Sequence, residues 1–538
     1  MAGRRRSFWG WGYEGEGPTA EQRDRLARTL TERFGLDGLD SVDAPGIDEV
    51  TLPAPRVTPP AALADICSTG TYDRAGHTYG KSFRDVVRAL ARDFGSAPDV
   101  VAFPRDERDV TALLDWCADA RVAAVPYGGG SSVVGGVECA VGEDYAGAVS
   151  IDLGHLDRVV EVDRTSRAAC IEAGAYGPAL EEQLQPHGLT LRHFPQSFEL
   201  STLGGWLATR SGGHYATLHT HIDDFVESMR VVTPRGVVES RRVPGSGAGP
   251  SPDRMFLGSE GTLGVITRAW MRLQDRPRFR AAASARFARF DDGVVATRAL
   301  AQSGLHPANC RLLDATEAML TGSGDGTTSV LLVAFESADH ALDAWIGRAV
   351  ELVRDHGGVV DDESVTVRTD EHGERTGAAG TWRAAFVRAP YTRDALVMLG
   401  MINETFETAV TWDGFERLHE RVMRATTDAM RAVGAWPGIV TCRFTHVYPD
   451  GPAPYFTVIA PGARDGRLEQ WAAVKAAASD ALLACGGTIT HHHAVGRDHR
   501  AWYDRQRPPL FGDALRAAKR ALDPDAILNP GVLIDPDA

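Results

Sequence analysis

The stretch PYGGGSSVVGG (126–136) sets three consecutive glycines and two serines directly behind the apolar run VAAV (122–125). Glycines let backbone N–H groups approach an anion closely, and serine hydroxyls add donors, so a pyrophosphate is the natural guest. The spacing is not G-x-G-x-x-G, which argues against a nicotinamide dinucleotide site. No Lys-Ser/Thr follows, which excludes a Walker A loop. Upstream, DVVAFPRDERDVTALLDWCADARVAAVP (99–126) reads as strand, proline, capped helix and strand. Asp106 is the expected N-cap, with Val110, Leu113, Leu114 and Cys117 on one helical face. Downstream, AVSIDL, RVVEVD and AACIEAG are expected strands, and PALEEQLQPHG is an expected helix. Two more loops of small and hydroxyl residues follow, QSFELSTLGGWLATRSGG (196–213) and GSEGTLGVIT (258–267). Three such loops in one α+β region suggest a long dinucleotide lying across the fold.

A Trp/Gly/Tyr-rich opening, a helix over 20–34 and a second helix starting near Lys81 fill residues 1–95. From residue 278 the pattern becomes a separate α+β domain, with strands such as SVLLVAFE and YFTVIAPG between long helices. The expected division is 1–95 N-terminal helical region, 96–277 cofactor domain, 278–490 cap domain and 491–538 C-terminal helical segment. The fold class is α+β.

Near the end, GGTITHHHAVGRDHRAW (486–502) places His491, His492 and His493 side by side. Adjacent residues share no helix face, and zinc ligands on one element usually sit two to five residues apart, so no metal is expected. The alternation of TITHHH predicts a strand that ends at the histidines, with His491 and His493 on one side and His492 on the other.

The chain has 538 residues, 43% apolar and 24% charged, with a formal charge of −15. That length predicts two or three domains. The negative charge argues against nucleic acid as a partner. Seven scattered cysteines without C-x-x-C suit reduced thiols. MAGRRRSFWGWG resembles a twin-arginine signal, but no apolar stretch follows it. With no membrane-length apolar run, a cytoplasmic protein is expected.

PYGGGSS, STLGGWLATRSG, DDFVESMRVVTPRG and GSEGTLGVIT resemble the flavin-binding (PCMH-type) domain of the vanillyl-alcohol-oxidase superfamily, and DPDAILNPGVL resembles its C-terminal ending. WGWGY (9–13), CRLLD (310–314), FET (406–408), TWD (411–413), TCRFTHVY (441–448), PYF (454–456) and the triple histidine are similar to the alkyldihydroxyacetonephosphate synthase family. The resemblance implies a two-subdomain FAD-binding domain plus a cap. It implies FAD, with Pro126, Tyr127, Gly128, Gly129, Gly130, Ser131 and Ser132 on the pyrophosphate. Gln196, Ser197, Ser201, Thr202, Thr209, Arg210, Ser211 and Gly212 would surround the rest, with Glu260, Gly261, Thr262, Gly264, Val265 and Ile266. The first loop holds no His or Cys for a covalent tether, so non-covalent FAD is expected.

The family chemistry exchanges the acyl chain of acyl-dihydroxyacetone phosphate for a long-chain alcohol, with the flavin ending each turnover unchanged. It assigns Tyr455 as acid/base, His491, His492 and His493 as a proton-handling cluster, Arg393 to the substrate phosphate, and Arg311 to an activity-supporting role. A homodimer and peripheral membrane contact come with the resemblance. One departure is Ala494, where the family commonly has glycine. Two other functions remain open on the same scaffold: a flavin dehydrogenase of 2-hydroxy acids such as lactate or glycolate, and a flavin-bound protein without catalysis.

Overall fold

The structure, a computed structural model, describes residues 4–219, 221–369 and 377–535. Helix α1 (Ala20–Phe34) opens on a capping box in which Thr19 and Gln22 satisfy each other's N–H groups, and it stops at Gly35 with φ 61°. Its buried Leu30 and Phe34 pack against Leu396, Leu399 and Met401. Helix α2 (Phe83–Leu90) starts two residues beyond Lys81 and is capped by Ser82.

Strands β1 (Cys67–Ser68), β2 (Val100–Ala102), β3 (Val122–Tyr127) and β4 (Gly147–Asp152) form a sheet in the order β1-β2-β4-β3, parallel except for β1. The crossover helix α3 (Glu107–Ala120) joins β2 to β3. The Asp106 carboxylate accepts from the N–H groups of Arg108 and Asp109, and Val110, Leu113, Leu114 and Cys117 form the buried face. The glycine loop therefore leaves the carboxyl end of a parallel strand, where α/β sheets bind ligands. The chain end returns here, because Ala124 exchanges backbone hydrogen bonds with Ile527 and Asn529. An antiparallel five-stranded sheet forms the second part of this region, with Val226–Thr233 and Val265–Arg272 at its centre.

The cap is a seven-stranded antiparallel sheet. Three of its strands matter for the site: β5 (Met401–Glu407), β6 (Ile439–Val447) and β7 (Pro452–Pro461), in the order β6-β7-β5. Phe406, Phe456 and Cys442 lie directly across from one another, so their side chains share one face. That face is covered by Leu418 and Val422 of α4 (Trp412–Ala432) and by Val474, Ala478 and Leu482 of α5 (Arg467–Ala484). The neighbouring row, Glu407, Tyr455 and Arg443, must then point to the opposite face.

The strand expected through TITHHH is absent. His491–His493 form a bend beyond α5, because their three N–H groups converge on one carboxylate. Successive N–H groups of a strand point in alternate directions and cannot converge in this way. All seven cysteines are free thiols and six are buried. Among the described residues no helix is long and apolar enough to cross a membrane.

Candidate active site

The polar face of the cap sheet carries the first half of the site. Tyr455 is 5% exposed and lies between Glu407 on β5 and Arg443 on β6. The Arg443 guanidinium sits 3.9 Å from the Tyr455 ring centroid and is itself ion-paired with Glu317. Burial pushes the Tyr455 phenol up, with Arg443 opposing the shift. Arg443 and His446 are three residues apart and would face opposite sides of a regular strand. A bulge between Phe444 and His446 pairs His446 with Ala453 and brings its imidazole onto the Tyr455 face.

The histidine bend carries the second half. The Glu407 carboxylate accepts from the N–H groups of His491 (2.6 Å), His492 (3.1 Å) and His493 (2.9 Å), and from the Thr490 hydroxyl (2.6 Å). Burial alone would raise the Glu407 carboxyl, but the adjoining imidazoles and these donors hold it far below the usual carboxylate range. The imidazoles form a chain. His491 Nε2 meets Tyr448 Oη at 3.0 Å and His221 Nε2 at 2.9 Å, and His491 Nδ1 meets His492 Nδ1 at 3.1 Å. The His492 ring stacks beside Tyr455, with centroids 6.1 Å apart. Burial lowers all three, His492 to about 3, so they are neutral at physiological pH and able to accept protons. One ring nitrogen from each of His446, His491 and His492 lies within 4.8 Å of the others.

The glycine loops close the site from the other domain. A Cβ at Gly129 would lie 2.0 Å from the Leu200 carbonyl oxygen, and one at Gly128 would lie 2.4 Å from Thr202 Oγ1. Gly130 adopts φ 62°. Among the described residues the N–H groups of Gly129, Gly130, Ser131 and Ser132 donate to no protein acceptor. Buried N–H groups need a partner, and a pyrophosphate on this loop supplies one, so the residues fit a flavin dinucleotide. Arg6 fixes the loop from behind by donating to the Gly129 carbonyl at 2.7 Å. Gly212 joins the two halves, since a Cβ there would lie 3.0 Å from His446 Nε2 and 3.5 Å from His492 Cβ.

The other expected residues fall in several places. Ser201 accepts from Trp206 Nε1 at 2.7 Å and donates to the Ser197 carbonyl. Thr202 caps the helix Leu203–Thr209. Ser211 pairs with His193, and Arg210 with Asp223. Gln196 donates to the Phe386 carbonyl. The Glu260 carboxylate accepts from Val495 and Gly496, which ties the segment after the histidines to the flavin region. Burial raises Glu260 to about 7, against those two hydrogen bonds. A Cβ on Gly261 would meet Pro126 at 2.9 Å. Arg311 is fully buried, bonded to His214 and stacked on Trp382 and Phe386. The hydrogen bonds of Arg393 run to Asp394 and the Lys81 carbonyl, not to the Tyr455 row.

Sequence reading did not single out Glu407, Arg443, His446, Tyr448 or His221. Pairing FET with PYF in register would have found Glu407. The bulge that turns His446 inward leaves no comparable signal.

The chain matches the family model "FAD binding domain" over residues 98–240 and "FAD linked oxidases, C-terminal domain" over 276–533. It is 31% identical to alkyldihydroxyacetonephosphate synthase of Dictyostelium discoideum, over 92% of this chain and 84% of the relative. The chain belongs to the alkyldihydroxyacetonephosphate synthase family. A solved structure of an alkyldihydroxyacetonephosphate synthase superposes with a TM-score of 0.80 at 26% identity, covering 97% of this chain and 98% of that one. A glycolate oxidase subunit of Bacillus subtilis is more distant, 26% identical over 83% of this chain and 91% of its own. This synthase-family chain thus carries an FAD-binding domain beside a cap of the FAD-linked oxidase type.

Proposed function

We propose that the protein is an FAD-dependent alkyldihydroxyacetonephosphate synthase, which replaces the acyl chain of acyl-dihydroxyacetone phosphate with a long-chain alcohol without net oxidation. The observation that carries this reading is the neutral imidazole chain ending beside the buried Tyr455 phenol. Such an exchange needs a proton removed from a substrate carbon and later returned, which calls for acid/base groups and not for an electron outlet. FAD, held non-covalently at the Gly128–Ser132 loop, would supply a nucleophilic N5 with no net change of redox state.

Tyr455 holds and moves the proton at its hydroxyl, with Arg443 favouring the phenolate when the proton leaves. His492 and His491 accept and return protons, and His221 and Tyr448 extend the chain away from Tyr455. Glu407 fixes the bend so that His492 stays beside the Tyr455 ring. Arg393 holds the substrate phosphate by bidentate contact once it exchanges its present partners. A homodimer with peripheral membrane contact suits a long-chain substrate.

The test is a chain-exchange assay with acyl-dihydroxyacetone phosphate and hexadecanol. Mass spectrometry should find free fatty acid and alkyl ether in equal amounts. Fatty acid without ether, or no reaction beside rapid oxidation of glycolate or lactate, would overturn the proposal.

A further inference from the structure

Lys81 has no role in the chemistry above, yet its placement is unusual. The residue is 3% exposed, and among the described residues its ammonium makes no hydrogen bond or ion pair with the protein. A buried charge without a partner costs several kcal/mol by general estimate, so such a group is retained where a ligand supplies the counter-charge. Its backbone is locked to the glycine loop. The Lys81 N–H donates to the Ser132 carbonyl at 2.6 Å, and a Cβ on the preceding Gly80 would lie 2.3 Å from that same oxygen.

Charged groups of both signs surround it. Arg6 donates to the Gly129 carbonyl and Arg393 to the Lys81 carbonyl, and both guanidinium groups act on the ammonium. Two carboxylates also face it. Asp394 is engaged by Arg393 and by the Trp11 N–H. Asp85 accepts from the Ser82 N–H, and its other oxygen has no partner, but it lies beyond ion-pair distance of Lys81. Burial first, with both guanidinium groups adding to it, pulls the Lys81 ammonium down to about 8.

We propose that Lys81 is an anchoring residue for a phosphoryl oxyanion bound at the Gly128–Ser132 loop. The two sources of that chemistry are the flavin pyrophosphate and the phosphate of the substrate ketone. The inference rests on the proposed function for the second source. Its test reads binding alone, so a protein that held phosphate but formed no ether would overturn that function and leave this inference standing.

K81Q, K81R and wild-type holoenzyme are compared in two measurements. Flavin release on dilution is followed by fluorescence, and dihydroxyacetone phosphate binding by the rise in thermal midpoint. K81Q should weaken one of the two at least tenfold, with flavin loss identifying the pyrophosphate and lost ketone phosphate binding identifying the substrate. K81R, which keeps the charge, should recover most of that loss. K81M serves as a second neutral variant should K81Q fail to fold. A folded neutral variant with both affinities within twofold of wild type would overturn the proposal, as expected if the ammonium closes on Asp85 instead.

Discussion

Two clusters of backbone N–H groups serve the candidate site, and they are satisfied differently. At Gly129–Ser132 the donors meet no protein acceptor among the described residues, and the loop is held by contacts to its carbonyl groups, from Arg6 and from Lys81. At His491–His493 the donors are all consumed by Glu407, from 84 to 86 residues away in sequence. The first cluster is built to receive an anion from outside. The second has its anion built in, and uses it to aim side chains. A glycine loop keeps its backbone open by having no side chains, whereas the histidine bend spends its backbone donors to position three imidazoles. In the proposed function the first region binds and the second reacts.

Each half of that comparison can be broken separately. Glu407→Ala leaves the His491 and His492 N–H groups without an acceptor and His493 with Thr490 Oγ1 alone, and should destabilise the protein by about 3–5 kcal/mol. It should also abolish turnover, and urea unfolding beside the exchange assay would show both. A loss under about 1 kcal/mol would mean that the bend holds its shape without the carboxylate. Gly129→Ala drives a methyl group toward the Leu200 carbonyl and should cut the flavin-to-protein absorbance ratio severalfold. An unchanged ratio would remove the loop from the cofactor site.

The pH dependence sharpens the reacting half. Burial holds His492 at about 3, so it stays the neutral base from pH 8 down to pH 5.5. Its carbon-bound ring-proton NMR signals should therefore not shift across that window. A shift with a midpoint near 6.5 would mean that the cluster is solvated and titrates as free imidazole. The smallest effect concerns Ala494, which adopts φ 74°, a conformation that favours glycine. Ala494→Gly should add about 0.5–1 kcal/mol, the relief of left-handed strain less the extra freedom of the unfolded chain. A destabilised variant would show that the Ala494 methyl group contributes more packing than its backbone costs.

The binding half was largely legible in the sequence, because its signals are local. The Asp106 cap, the buried face of α3 and the glycine loop after β3 each follow from residues within one or two turns of chain. The reacting half was legible only in part. The histidines stood out as a run and Tyr455 was named through resemblance, but the expected strand at TITHHH gave way to a bend. Its cause, Glu407, lies on another strand, and no local propensity reports so distant a carboxylate. Arg443 and His446 needed the register of β6 against β7 and its bulge, which depend on the assembled sheet. Ala494 is the reverse case: a departure visible in the sequence whose meaning appears only with its backbone angle.

The central claim is that this site exchanges chains without passing electrons onward, and the flavin absorbance during anaerobic turnover tests it most directly. With acyl-dihydroxyacetone phosphate and hexadecanol but no acceptor, ether should accumulate over many turnovers and the oxidised flavin spectrum should return when substrate is exhausted. Bleaching of the flavin by glycolate or lactate, reversed only by an added quinone or dye and accompanied by no ether, would contradict the account.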